Sequence, residues 1–276
     1  MKYLVLFNYY ETNNSKINLN FFIENGIYIS NIVTFIIIIK GDILSVNIPK
    51  FKNVIVQKTS NEGYDFGGWS DGLKLVNLDN YDRFIFLNDT VRGPFLPSYL
   101  NKKDWIKYFT RFLNSKIKLT GSTINCTKSI KINNDHIQSM SFATDKIGLN
   151  LLIKNNIFNK KLCQDTFNES KWNFITQFEV RMSEIIMNEG YEIKSLQFFE
   201  QKGDIQYIDN YKGTTVNPLE IMFIKTNRIN DRILKNYTKW NMSKKTDHTK
   251  RNNIKLLPII IITLIFSILI IRTAIN

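Results

Sequence analysis

The chain has 276 residues, of which 43% are hydrophobic and 13% aromatic, and a net charge of +13. This composition excludes an intrinsically disordered chain and suits one large domain, or a domain with a short appendage. The placement of the charge argues against a nucleic-acid binder: from Lys225 onward there are eleven Lys and Arg against two Asp and Glu, and the preceding 224 residues carry a net of only +4, with no basic–aromatic platform among them.

In chain order, Tyr3–Phe7 reads as a first buried strand, since its apolar stretch is too short for an export signal. Asn20–Asn25 reads as a short helix stopped by Gly26. Ile32–Ile39 and Val54–Gln57 are short continuous apolar runs, the profile of fully buried strands. Trp69–Val76 reads as a helix following a glycine-rich loop, and Arg83–Leu87 as the next strand. Lys102–Leu113 places Trp105, Ile106, Phe109 and Leu113 on one helical face. Lys118–Ile124 and Ser139–Ala143 follow as strands. Phe174–Met187 places Ile175, Phe178, Met182, Ile185 and Ile186 on one face and stops at Gly190; Ile193–Phe198 is a late strand. Asn217–Met242 opens with Asn-Pro-Leu-Glu, an N-cap and a Pro, and reads as one helix leading out of the domain. Alternating strands and helices predict an α/β fold with a largely parallel sheet. Cys126 and Cys163 form no CxxC pair and read as two thiols.

At the C-terminus, Leu256–Ile271 is sixteen residues without a charge, bounded by Lys255 and Arg272. It predicts a single-pass transmembrane helix, with flanking cations that attract anionic lipid and hold the main domain in the cytosol. The expected division is an α/β domain over 1–228, a basic linker over 229–255 and a membrane anchor over 256–272.

Four stretches could carry chemistry. Asn61-Glu62-Gly63-Tyr64-Asp65-Phe66-Gly67-Gly68-Trp69 follows a strand and opens a helix. Glycines there let the backbone approach a ligand, and a helix N-terminus favours negative charge. Asp65 either accepts hydrogen bonds from a ribose or base, or caps a tight turn. The strand Arg83–Leu87 ends in Asn88-Asp89-Thr90, then Arg92-Gly93-Pro94. Ligands of open α/β sheets bind beyond the carboxyl ends of strands, although an Asx turn produces the same residues. Arg92 can pair with a diphosphate or face solvent. His136-Ile137-Gln138-Ser139-Met140 precedes Phe142-Ala143-Thr144-Asp145, where Asp145 suits a helix N-cap. Glu179 neighbours the apolar face of its helix, where a carboxylate needs a partner or a task.

In this order the stretches resemble the glycosyltransferase-like proteins related to rhamnan synthesis protein F, which are similar to A-type (GT-A) nucleotide-sugar transferases. The resemblance covers Met1 to Arg228, including Asn217-Pro218-Leu219-Glu220. It implies a Rossmann-like GT-A fold with a mainly parallel central sheet, a nucleotide-sugar donor, and a glycan or lipid-linked acceptor. It places Gly63, Asp65, Gly67, Gly68, Asn88 and Arg92 near the donor, and His136 and Gln138 toward the acceptor. Glu179 matches the base carboxylate of inverting relatives. Asn88-Asp89-Thr90 matches the acidic motif that holds a divalent cation, Mg or Mn. That motif usually has two Asp, and only Asp89 is acidic here, which leaves metal dependence open. The expected reaction is a single displacement at the anomeric carbon, with Glu179 taking the acceptor proton and Asp89 positioning the leaving diphosphate. The competing readings are an inactive nucleotide- or glycan-binding relative and a tail-anchored scaffold.

Overall fold

The computed structural model describes residues 1–125, 135–197 and 217–243. Met1–Asp231 form one compact unit; of the second unit, Arg232–Asn276, residues 232–243 are described and are helical.

The first four strands are long and rich in Val, Ile and Phe: β1 (Tyr3–Tyr10), β2 (Val33–Lys40), β3 (Val54–Thr59) and β4 (Arg83–Asn88). They are followed by β5 (Val91–Arg92), β6 (Ile117–Gly121), β7 (Ile124–Asn125), β8 (His136–Ile137), β9 (Ser141–Asp145), β10 (Glu192–Ser195) and β11 (Ile224–Lys225). Seven form the main sheet in the order β10-β6-β9-β4-β1-β2-β3. β1 pairs in parallel with both β2 and β4, β2 with β3, and β6 with β10. Only β9 runs antiparallel to its neighbours β4 and β6. The expected mixed α/β architecture with a mostly parallel sheet is therefore present, and Leu4 to Phe7 and Phe35 to Ile39 are buried on both faces, as parallel strands require.

The path of the chain sets up a crevice. From β1, helix α1 (Asn13–Asn25) leads to β2 and the sheet grows outward to β3; helix α2 (Tyr64–Leu73) then returns the chain to β4, on the other side of β1. The strand order thus reverses between β1 and β4, the point at which open α/β sheets bind ligands.

Both helices begin earlier than the sequence suggested. α1 starts at Asn13 because Thr12 and Ser15 form a reciprocal capping box, which satisfies the first free N–H groups despite a polar opening turn. α2 starts at Tyr64, inside the glycine stretch. Gly63 caps it in the left-handed region, at φ 68°. Position 68 takes a glycine because a Cβ there would collide with the Asn8 side-chain oxygen. Phe66, Trp69 and Leu73 form the buried face of α2, with Trp69 packed edge-on against Phe86 and Phe142 at centroid distances of 5.6 and 5.5 Å. Burying one such aromatic side chain contributes about 2–3 kcal/mol.

The remaining helices are α3 (Trp105–Phe109), α4 (Lys146–Lys154), α5 (Lys160–Glu169), α6 (Lys171–Phe174), α7 (Arg181–Asn188) and α8 (Pro218–Ile221). α3 is shorter than the expected Lys102–Leu113, although Trp105, Ile106, Phe109 and Leu113 are all buried. Lys118–Ile124 is not one strand: the chain leaves β6 at Gly121 and resumes in β7. Ser139 and Met140 form a turn ahead of β9, and β10 ends at Ser195, short of the expected Phe198, which lies outside the described residues. Asn217–Met242 is not one helix either. Met222 takes φ 67° and ends α8, β11 follows, and a new helix runs over 231–243. Phe223 decides the break, because its ring is buried against Phe22, Trp105 and Phe109.

The expected transmembrane helix is corrected. Among the described residues no helix is long and apolar enough to cross a membrane, and 256–272 lie outside them. Cys163 is a free, buried thiol pushed up to about 12 by that burial; Cys126 lies outside the described residues.

Candidate functional site

Asn8 and Asn88 end the two strands that flank the reversal, and they face each other in register. Asp65, in the first turn of α2, bridges them. Its Oδ1 accepts from Asn8 Nδ2 at 2.8 Å and its Oδ2 from Asn88 Nδ2 at 2.7 Å. A carboxylate only accepts, so both amides turn their nitrogen inward. Beneath the turn, the buried Lys40 Nζ donates to the carbonyls of Glu62 and Tyr64 at 2.6 and 2.7 Å. Burial lowers this ammonium to about 8, against the opposing pull of Asp65. Gly63 N donates to Gln164 Oε1 at 2.7 Å, which ties the turn to α5. The glycine stretch and the end of β4, far apart in the chain, therefore converge on one crevice.

Asp89 lies one residue further on. Its Oδ2 accepts from Tyr10 N at 2.6 Å. Burial, and next the charge of Asp65, push this carboxyl up to about 7. Asn88 Oδ1 accepts from Thr90 N and Thr90 Oγ1 at 3.1 and 2.6 Å, an Asx-type turn. Arg92 is directed toward α1, where its Nε donates to Asn18 Oδ1 at 3.0 Å.

Glu179 sits on a π-helical stretch, Ile175–Val180, between α6 and α7. Such widened turns are common at functional sites because they re-aim side chains. Its Oε2 accepts from Ser139 N at 3.0 Å and from Ser139 Oγ, while His136 Nε2 lies 3.8 Å from Oε1. Gln138 is buried, and its Oε1 accepts from Thr123 Oγ1 at 2.8 Å. His136 thus borders Glu179 from β8, whereas Gln138 is turned to Thr123.

β11 pairs antiparallel with β5, placing Lys225 opposite Val91. Lys225 is lowered by burial and by the like charge of Arg228, and the charges of Glu179 and Asp65 act on it in the opposite sense. The charges of Glu179 and Asp65 thus both act on Lys225. Of the groups that form the site, Asn8, Lys40, Ser139 and Lys225 were not singled out from sequence. Lys40 carried a detectable signal, as a charge ending an unbroken Ile run. A separate cavity of about 720 Å³, lined by Glu62, Lys74, Asn159, Lys161 and Gln164 among others, contains none of Asp65, Asp89 and Glu179.

A family model described as rhamnan synthesis protein F matches residues 42–251. Two curated relatives, both named virulence protein VirA, from Vibrio anguillarum (strain ATCC 68554 / 775) and Vibrio anguillarum, are each 29% identical over 154 residues. Each match covers 54% of this chain and 44% of the relative, so the chain spans less than half the length of the relatives it matches. Among solved structures, the mannosyltransferase PcManGT from Pyrobaculum calidifontis, in complex with GDP-Man and Mn2+, aligns with a TM-score of 0.40 at 9% identity, over 70% of this chain and 54% of that one. The family match takes in Asp65, Asn88, Asp89, Glu179 and Lys225, and the chain belongs to the rhamnan synthesis protein F family.

Proposed function

We propose that the protein is a glycosyltransferase that moves a sugar from a nucleotide-sugar donor to a hydroxyl of a glycan or another acceptor. The observation that carries this reading is the Asp65 bridge, which closes the strand-order reversal between β1 and β4 with a helix N-terminus above it. The GT-A architecture implied by the family resemblance belongs to the same reading.

In the proposed reaction the acceptor hydroxyl attacks the anomeric carbon, the bond to the donor phosphate breaks, and the electron pair leaves with the nucleoside diphosphate. Glu179 takes the acceptor proton. Two hydrogen bonds from Ser139 orient it. Asp89, protonated below neutrality, can donate a hydrogen bond to a phosphate oxygen. The glycine turn, held by Lys40, presents its helix N-terminus to the same group.

A divalent cation is implied by the resemblance, and Asp65 and Asp89 are the carboxylates that come together for it. They do not fit it well. Both Asp65 oxygens accept amide N–H groups, Asp89 Oδ2 accepts a backbone N–H, and no group of three His, Cys, Asp or Glu suited to a metal occurs among the described residues.

The test is a panel of UDP-, GDP- and dTDP-sugars presented to the full chain, read by thermal shift and by release of nucleotide. Stabilisation by one donor, with turnover once an acceptor is supplied, supports the transferase. Silence across the panel overturns it. The single acid in Asn88-Asp89-Thr90 favours one second reading, binding without transfer; stabilisation with no nucleotide release under any acceptor is its signature.

A further inference from the structure

We infer that Lys225 carries the donor diphosphate: its ammonium binds the pyrophosphate oxygens and neutralises the leaving nucleoside diphosphate, in the role the family resemblance gives to a metal ion. This rests on the transferase reading and adds to it a named group and a metal-independent chemistry.

Three observations support the assignment. The first is position. β11 is pinned beside the end of β4 by the antiparallel pairing of Lys225 with Val91 and by Thr226, whose N and Oγ1 donate to Thr90 O at 3.0 and 3.2 Å. Lys225 is therefore held beside the segment that carries Asp89.

The second is that its ammonium has no partner among the described residues. Lys225 is half-buried, and its side chain makes no hydrogen bond or ion pair with any described residue. Other sequestered cations here are satisfied. Lys40 donates to two carbonyls, Lys118 pairs with Asp145 at 2.7 Å, Lys160 pairs with Asp71 at 2.6 Å, and Arg83 donates to Thr110 and Leu113. A desolvated cation without a partner is unfavourable unless an anion is to occupy its site.

The third is its surroundings. Arg228 and Lys171 are close enough for their like charge to act on Lys225, and Glu179 and Asp65 act on it in the opposite sense. The cations come from α6, β11 and the turn after β11, so three elements bring positive charge to the neighbourhood of Lys225. Lys225 keeps its protons throughout: the proton of the acceptor goes to Glu179 and the bonding pair to the phosphate oxygen, whose new charge the ammonium meets.

The test uses the full chain in EDTA, with titration calorimetry of UDP, GDP and dTDP and of the matching nucleosides, on wild type, K225M and K225R. Loss of one charge-assisted contact should weaken the nucleoside diphosphate by roughly tenfold or more in K225M, leave the nucleoside unchanged, and be largely restored in K225R. In turnover, kcat should fall further than KM rises. K225M should fold, because it removes an unpaired charge and keeps the stem; a melting temperature no lower than wild type checks this. Binding that requires Mn or Mg and is equal in wild type and K225M overturns the inference and leaves the transferase reading standing. If no nucleoside diphosphate binds wild type with or without metal, both fall.

Discussion

Asn8 and Asn88 stand side by side at the ends of two parallel strands, and their amides hold the same carboxylate. Asp65 is therefore part of the sheet's architecture as well as a candidate ligand contact. It fixes the α2 N-terminus over the strand-order reversal, and each amide bond to a charged acceptor is worth about 1.5–3 kcal/mol.

Replacing Asp65 by Asn should break this arrangement, since its nitrogen would face an amide nitrogen. D65N is expected to lower the melting temperature by several degrees and to weaken donor binding by at least about tenfold. Thermal unfolding and calorimetry on the same sample check both; unchanged donor affinity would place the crevice elsewhere.

Gly68→Ala sets a Cβ against the Asn8 side-chain oxygen. Overpacking of this kind costs about 1–3 kcal/mol. The clash is specific, so Asn8→Ala combined with Gly68→Ala should lose less than the sum of the two single changes. A double-mutant cycle of unfolding free energies reads this directly, and additive losses would contradict the close approach.

Asp89 supplies a pH signature. Its folded value of about 7 lies above the ordinary 3.8. Between roughly pH 4 and 7 the folded state holds a proton that the unfolded state has lost, so this group's contribution to stability falls as pH rises through that window. D89N cannot ionise and should melt several degrees above wild type at about pH 8, but close to it at about pH 4. Donor affinity of wild type should fall through about pH 7, as the carboxyl loses the proton it could donate. An equal difference in melting temperature at both pH values would refute the shift.

Glu179→Gln keeps the shape of the side chain and removes its basicity. Transfer is expected to drop by at least about a hundredfold while donor binding survives, since general-base help is worth about 10²–10⁴. Full turnover in E179Q would remove Glu179 from the reaction. Ser139→Ala should cost less, because it removes one of two orienting bonds and leaves the backbone N–H in place.

The strands that form the centre of the sheet were legible as sequence. β1 to β4 are continuous apolar runs, and a strand buried on both faces has no other way to read. The start of α2 was not, because Gly67 and Gly68 argue against a helix by propensity, and Gly68 is present for a close approach to Asn8, sixty residues earlier, that no local window contains. The break after α8 was hidden for a similar reason: Phe223 is drawn out of the helix by rings more than a hundred residues earlier. Asn88, Asp89 and Glu179 could be picked out because each is a polar group abutting an apolar run or face, and Asp65 because it sits in a glycine-rich turn that opens a helix. Asn8 and Lys225 could not, since their significance depends on which distant groups stand opposite them.

The staple formed by β11 on β5 has a consequence for synthesis. The seven-stranded sheet has all its strands once Ser195 has emerged, and by then Asp65, Asn88 and Glu179 are available to it. Lys225 arrives later, with Thr226 fastening to Thr90. A nascent chain halted between these points would own a crevice without its cation, so competence for an anionic ligand would mark the end of the domain's maturation on the ribosome.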